Sequence, residues 1–141
     1  MKQTLKKQER LKSSRVIRLL YEKGHTFLVH PYKVNWMVGS RESRYPARAL
    51  FGVSRKNFRK ATERNHLKRL CREAYRKNKH ILYDYLDSRN LECNLSLIYV
   101  GKSTMEFSMI EKKIIGLLKR LVSDIDNHSR KNKQYPTDEN I

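Results

Sequence analysis

Residues 61–77 (ATERNHLKRLCREAYRK) have the periodicity of a single helix with two chemically different faces. Apolar residues recur there at the i, i+3, i+4, i+7 spacing of a buried helical stripe, namely Leu67, Leu70, Cys71 and Ala74. The opposite side carries one amide and otherwise cations: Asn65, Lys68, Arg69, Arg72 and Arg76. Thr62 is the expected N-cap of this helix. The apolar stripe must be covered by other elements, which leaves the basic face to solvent or to a partner.

An anionic partner explains this basic face better than hydration alone, although most charged helix faces are simply hydrated. Hydrated faces usually alternate acids with bases at i, i+4, whereas this face contains no acid. Arginine outnumbers lysine on it, and the planar guanidinium suits phosphate groups and base edges. The preceding loop, residues 54–60 (SRKNFRK), is basic as well. Charges this dense repel one another unless a polyanion binds them.

The whole chain is strongly cationic. Its 141 residues, a length typical of one domain, include 32 Lys and Arg against 14 Asp and Glu, a formal net charge of +18. Nucleic acid is the default partner for such a charge, and an anionic membrane surface is the rival. No apolar run approaches the roughly 20 residues needed to cross a membrane, and residues 1–12 do not resemble a signal peptide. We therefore expect a cytoplasmic protein with reduced cysteines and no membrane partner.

No catalytic or metal-binding motif is visible in the sequence. Cys71 and Cys93 are far apart and form no C-x-x-C pair, so Cys71 is expected in the core and a zinc site is not expected. The acids are scattered, and the histidines form no H-E-x-x-H motif. The sequence also lacks a G-x-S-x-G motif and a P-loop. We expect no catalytic residues and no metal ligands on the protein, which makes a protein-only nuclease the weakest of the function hypotheses.

The hydrophobic pattern predicts one small α+β domain with a central, mostly antiparallel sheet and helices packed on it. A flexible basic N-terminal arm (1–12) precedes the domain (13–127), and a disordered tail (128–141) follows it. Helices are predicted from Ser13 or Ser14 to residue 23, over 61–77 with an extension or kink through 78–86, and over 107–127. Strands are predicted at 32–38, 47–54 and 93–101, with or without a short extended piece before the first. The expected order is α-β-β-(β)-α-β-α.

Residues 64–73 match R-N-x-x-K-R-x-x-R-E and resemble the RNR-motif helix of the protein component of bacterial ribonuclease P. The similarity also includes the segment from Leu11 to Gly24 and the G-V-S sequence that begins at Gly52. It covers about residues 5–125. The resemblance implies a fold similar to the ribosomal S5 domain 2, with a left-handed βαβ crossover through the central helix. Without it, a right-handed connection would be expected.

The resemblance also implies a function. In this family an RNA subunit is the catalyst and uses bound magnesium ions to remove the 5′ leader of precursor tRNA. The protein is the accessory subunit of that endoribonuclease, monomeric in a 1:1 ribonucleoprotein, and binds both the catalytic RNA and the leader. The implied contacts to the catalytic RNA are Arg59, Lys60, Arg64, Asn65, Lys68, Arg69, Arg72 and Arg76.

The implied leader-binding residues lie in a cleft between the first helix and the sheet: Ile17, Tyr21, Asn35, Ser54, Arg55 and Lys56. Ile17 stands where the family tends to carry an aromatic residue, so stacking could shift to other rings, namely Tyr32, Trp36 or Phe58. A ribosomal or general RNA-binding module, without a part in tRNA processing, is the alternative function.

Overall fold

The computed structural model describes residues 4–133. A short 3₁₀ turn at Lys7–Glu9 precedes the first α-helix. The helices and strands, in chain order, are α1 (Ser14–Lys23), β1 (His25–Val29), β2 (Tyr32–Ser40), β3 (Ala47–Val53), α2 (Ala61–Asn78), α3 (His80–Arg89), β4 (Leu91–Tyr99) and α4 (Phe107–Lys133). The predicted order is confirmed, with β1 as the extended piece before the first long strand.

The strands form one four-stranded sheet in the order β1-β2-β4-β3. β1 pairs with β2, and β2 with β4, in antiparallel fashion, whereas β3 and β4 are parallel neighbours. The chain passes from β3 to β4 through α2 and α3. The sheet is therefore mixed and mostly antiparallel, which confirms the predicted α+β class.

The hydrophobic core lies on one face of the sheet, beneath α2, α3 and α4. Leu67, Cys71 and Ala74 of α2 are buried there, as predicted, whereas Leu70 is only partly buried. Tyr75 completes the buried stripe of α2. The predicted stripe of α4 is fully buried and consists of Ile110, Ile114, Leu117, Leu118, Leu121 and Ile125.

Helix α1 lies on the opposite face. Ser13 is its N-cap, and the Ser13 Oγ accepts a hydrogen bond from the Val16 N–H at 3.3 Å. Gly24 ends the helix, with its N–H donating to the Leu20 carbonyl oxygen at 2.9 Å. Strand alternation points Asn35 and Ser96 away from the core face, yet both are buried, because α1 covers the middle of this second face.

The N-terminal arm differs from the sequence prediction. Residues 4–12 pack against the domain: Leu11 is buried, and its N–H donates to the Ala49 carbonyl oxygen at 3.0 Å. Arg10 forms an isolated parallel bridge with Ala49. Because β3 is an edge strand, the arm covers backbone groups that would otherwise be open to pairing with another chain. The expectation of a flexible arm is therefore wrong for residues 4–12.

Two helix boundaries also differ from prediction. Helix α4 continues to Lys133, so residues 128–133 are helical and not part of a disordered tail, while the rest of the predicted tail lies outside the described residues. Helix α2 begins at Ala61 with Lys60 at the N-cap position and no side-chain cap, which places Thr62 inside the first turn. Within residues 4–133, no helix is long and apolar enough to span a membrane.

Candidate nucleic-acid interface

The basic loop before α2 is fixed by two of its own side chains. The Asn57 Nδ2 donates to the carbonyl oxygens of Val100 and Gly101, at 3.0 and 3.3 Å. Phe58 is buried, and its ring lies 6.0 Å from that of Tyr99. These anchors leave the cations of the loop exposed: Arg55, Lys56, Arg59 and Lys60.

The docking face of α2, defined as Asn65, Lys68, Arg69 and Arg72, carries three cations and one amide. Asn65 and Arg69 are exposed and line a shallow pocket with Thr62 and His66, whereas Lys68 and Arg72 are half-buried. None of the three cations forms an ion pair within residues 4–133. Because α2 is packed into the core through its other stripe, these charges are held on a rigid element.

Two other residues of the predicted RNA-binding set also make contacts within the protein. The Arg64 Nη1 donates to the carbonyl oxygens of Phe58 and Arg59, at 2.8 and 2.7 Å, and so ties the loop to α2. The Arg76 guanidinium forms a bidentate ion pair with the Glu73 carboxylate, and its hydrogen bonds lower the pKa of Glu73. Sequence periodicity located both arginines on α2 but could not identify these contacts.

The N-terminal arm adds a cation to the docking face that the sequence did not indicate. Arg10 lines one cavity together with Arg69, Arg72 and the Arg76–Glu73 pair, and the same cavity is bordered by Thr4 and Leu5. Arg10 lies near α2 because the arm pairs with β3, which is distant in the sequence. No local motif could therefore have predicted that Arg10 lies there.

A second surface, the cleft face, lies beside α1 on the sheet face opposite α2. The strand register places Leu28, Lys33, Ile98 and Gly52 in one row across the four strands. None of the four is buried, and Leu28 is 58% exposed. A Cβ atom on Gly52 would lie 2.7 Å from the Ile98 Cδ1, so the glycine makes room for the neighbouring side chain in this row.

The predicted leader-binding residues fall into an accessible group and one exception. Tyr21 is 47% exposed on α1, Ile17 is half-buried, and Arg55 and Lys56 are exposed beyond the end of β3, next to the half-buried Ser54. Asn35, in contrast, is only 4% exposed, and its Oδ1 accepts no hydrogen bond from the described residues. Asn35 is therefore part of the packing beneath α1 and not of an open wall, because α1 crosses the sheet above it.

The alternative stacking rings are not available, since Tyr32, Trp36 and Phe58 are all buried. The residues that sequence reasoning missed on the cleft face are Leu28, Lys33 and Ile98. The alternation along the strands could have located them: Tyr32 and Val34 point into the core, so Lys33 between them points to the other face of the sheet.

The chain with this basic helix and mixed sheet matches a known protein family. The model of the family described as Ribonuclease P matches residues 5–122. The chain belongs to the ribonuclease P protein family. Proteins of this family are components of an endoribonuclease that processes the 5′ ends of tRNA.

Similar ribonuclease P proteins match most of this chain. The ribonuclease P protein component of Porphyromonas gingivalis is 33% identical over 129 residues, which cover 92% of this chain and 94% of the relative. That of Chlorobium phaeobacteroides is 34% identical over 125 residues, covering 82% and 86%. The solved ribonuclease P protein of Thermotoga maritima is 28% identical, with a TM-score of 0.62 over 79% of this chain and 96% of its own. The Staphylococcus aureus ribonuclease P protein shares the fold at 22% identity, with a TM-score of 0.63 over 80% and 94% of the two chains.

Residues 4–133 contain no group of three or more His, Cys, Asp or Glu side chains that could hold a metal ion. Burial raises the pKa of the Cys71 and Cys93 thiols to about 12, so neither is a thiolate near neutral pH. What the two surfaces offer is fixed cations, hydrogen-bond donors and an exposed tyrosine ring, the groups that bind phosphates and stack on bases.

Proposed function

We propose that this ribonuclease P protein binds the catalytic RNA through the docking face of α2 and holds the 5′ leader of precursor tRNA against the cleft face. The observation that carries this division is the presence of two accessible surfaces with different chemistry. The docking face carries cations that form no ion pair among residues 4–133 and stand on a rigid helix. The cleft face combines apolar residues with Lys33, and the exposed ring of Tyr21 belongs to α1.

Each surface suits its proposed ligand. A folded catalytic RNA presents phosphates in a fixed arrangement, so a rigid row of Lys and Arg can match it. Leaders vary in sequence and are single-stranded, so they are best held by phosphate contacts and by stacking that tolerates any base. For the leader we propose Ile17, Tyr21, Ser54, Arg55 and Lys56, together with Lys33.

In this proposal magnesium is bound mainly by the RNA subunit, where it supplies the activated nucleophile for phosphodiester hydrolysis. The protein contributes no reacting group and instead positions the leader relative to that RNA. We further propose a 1:1 ribonucleoprotein that acts in the cytoplasm, where precursor tRNA is its substrate.

The docking face is tested by the double variant Arg69→Ala, Arg72→Ala. We expect weaker holoenzyme assembly and a slope of log affinity against log salt that is shallower by roughly 2, one for each lost phosphate contact. The matched control is Lys112→Ala, Lys119→Ala, which removes the same charge from exposed positions on α4. Unfolding midpoints confirm that both variants fold. Assembly equal to that of the control would reject the docking face.

A second assay separates this function from a general RNA-binding module. Precursor tRNA cleavage by the catalytic RNA is measured at low magnesium, with and without the protein. We expect faster cleavage with the protein, and much weaker protein binding to unrelated structured RNAs. A general module would leave cleavage unchanged and bind all structured RNAs alike.

The leader contact is tested with a photocrosslinker in place of Tyr21, which is expected to label the leader and not the mature tRNA.

A further inference from the structure

We propose that the docking surface for the catalytic RNA continues beyond α2 into a second basic groove, which takes the sugar–phosphate backbone of that same RNA. This loop groove lies between the N-terminal arm, the loop at residues 41–46 and the start of β3. Its charged and aromatic residues are Arg10, Lys12, Arg44, Tyr45 and Arg48. The inference rests on the proposed function, because it extends the surface for the same partner.

The loop groove is basic without any compensating acid. No Asp or Glu lines it, and none of its four cations forms an ion pair within the part of the chain that the structure describes. Glu42 lies in the loop itself but does not line the groove, and two further acids beside the loop are already engaged. The Asp87 carboxylate pairs with the Arg41 guanidinium at 2.7 Å, and the Glu92 Oε1 accepts the N–H groups of residues 42 and 43, each at 2.8 Å. The cations therefore repel one another until an anion binds among them.

The loop that carries Arg44 and Tyr45 is held in one conformation. Besides its ion pair with Asp87, Arg41 donates from Nε to the Ser43 carbonyl oxygen at 2.7 Å and from Nη2 to the Arg44 carbonyl oxygen at 3.0 Å. The Tyr45 N–H donates to the Ser43 Oγ at 3.2 Å. A loop ordered before binding loses little conformational entropy on binding, which is expected of a recognition surface.

The groove is continuous with the docking face through Arg10. This residue lines the loop groove on one side and the cavity shared with Arg69 and Arg72 on the other. The hydrogen bond from the Leu11 N–H to Ala49 fixes the position of the arm between them. A single polyanion can therefore follow the cations from α2 across the arm to the loop, which favours the RNA that docks on α2 over a separate ligand.

Tyr45 adds a feature that suits RNA more than a lipid surface. Its ring is half-buried beside β3, and the Arg44 guanidinium carbon lies 5.9 Å from the ring centroid. An arginine held over an aromatic ring presents a flat cationic surface, on which a nucleotide can both stack and pair its phosphate.

The groove is tested at two of its three exposed cations, in the double variant Lys12→Ala, Arg44→Ala, with Lys112→Ala, Lys119→Ala as the charge-matched control. We expect weaker binding to the catalytic RNA, a salt slope shallower by roughly 2, and an unchanged unfolding midpoint. The Arg69→Ala, Arg72→Ala variant is measured in parallel. If it weakens assembly while the groove variant binds like the control, the groove proposal fails alone. If neither variant weakens assembly, the proposed docking face fails as well.

A proximity experiment locates the bound RNA without removing any cation. Glu42→Cys places a thiol on the exposed part of the loop, and the native cysteines are buried, so iron–EDTA can be tethered at position 42 alone. In the assembled holoenzyme with precursor tRNA, we expect hydroxyl-radical cleavage of the catalytic RNA. Cleavage of the leader alone, or of neither RNA, would overturn the proposal. So would binding to anionic phospholipid vesicles that the groove variant loses while it keeps its full affinity for the catalytic RNA.

Discussion

At the scale of single residues, Glu9 determines where the N-terminal arm lies. It is 1% exposed in a chain with a strong excess of cations. The Lys79 Nζ donates to its Oε1 at 2.7 Å, the Tyr83 hydroxyl donates to the same oxygen, and the Lys6 N–H donates to Oε2 at 2.7 Å. Burial by itself would raise the pKa of Glu9, but these hydrogen bonds hold that pKa below its ordinary value. One carboxylate thus joins the arm to the junction between α2 and α3.

Glu9→Gln is expected to lower the free energy of unfolding by roughly 1–3 kcal/mol at neutral pH, because Lys79 keeps its charge and loses its partner. The folded-state pKa of Glu9 is depressed, so its ionic contribution is fully present above the unfolded value, near 4.5, and is lost as the pH falls through the folded value. The difference in stability between the variant and the natural protein should therefore shrink below about pH 4.5. Urea unfolding across this range measures it, with Glu22→Gln at an exposed position as the control. A difference that stays constant down to about pH 3 would contradict the assignment.

At the scale of secondary-structure elements, local signals were sufficient for most of the fold. Ser13 caps the start of α1 as predicted, Gly24 follows its last residue in an extended conformation, and the apolar period of α4 predicted its buried stripe. The break between α2 and α3 was predicted only as an extension or kink, since no proline or glycine marks it. It coincides with Asn78, whose Nδ2 donates to the Ala74 carbonyl oxygen at 2.9 Å and to the Glu111 carboxylate at 3.0 Å. The second contact comes from α4, so it could not be inferred locally.

In the candidate site, too, local sequence patterns predicted some features, whereas contacts between distant segments could not be predicted. Helical periodicity predicted which cations share a face of α2, because that depends only on spacing. It could not show that Arg64 reaches back to the loop or that Asn35 lies beneath α1, because both depend on where distant segments pack. For the same reason the ordered arm and its Arg10 were missed, since Leu11 is buried only through pairing with β3.

Substitution by alanine is expected to have opposite effects on stability at two glycines, Gly116 and Gly24. Gly116 lies in the middle of α4, and a Cβ there would meet no atom within 4 Å. Gly116→Ala should therefore raise the free energy of unfolding by roughly 0.5–1 kcal/mol, because alanine restricts the unfolded chain and favours a helix.

At Gly24, by contrast, a Cβ would lie 2.3 Å from the Leu20 carbonyl oxygen and 3.1 Å from that of Trp36. Gly24→Ala should cost roughly 1–3 kcal/mol, since the end of α1 must shift to relieve the overlap. Chemical denaturation of both variants tests the pair. A Gly24→Ala protein as stable as the natural one would show that the end of α1 is not fixed against the sheet.

At the scale of the whole molecule, the excess of cations has a consequence for stability as well as for binding. The acids that form ion pairs within residues 4–133 take their partners from outside the docking face and the loop groove: Glu9 with Lys79, Glu73 with Arg76, Asp87 with Arg41, Asp124 with Arg120, and Asp126 with Arg89 and Arg130. The cations on the proposed RNA surfaces are thus left to repel one another in the free protein. RNA binding relieves this repulsion, and so does salt.

Salt should therefore act in opposite directions on binding and on folding. If the docking face and loop groove together neutralise six to ten phosphates, affinity for the catalytic RNA should fall by roughly 10³–10⁵ between 50 and 200 mM salt. Over the same range the unfolding midpoint of the free protein should stay constant or rise, because screening weakens its self-repulsion. Measuring both quantities on one preparation separates lost phosphate contacts from lost structure. An affinity that hardly changes with salt would mean that few phosphates are neutralised. An unfolding midpoint that falls with salt would mean that surface ion pairs, and not repulsion, dominate the electrostatics of the free protein.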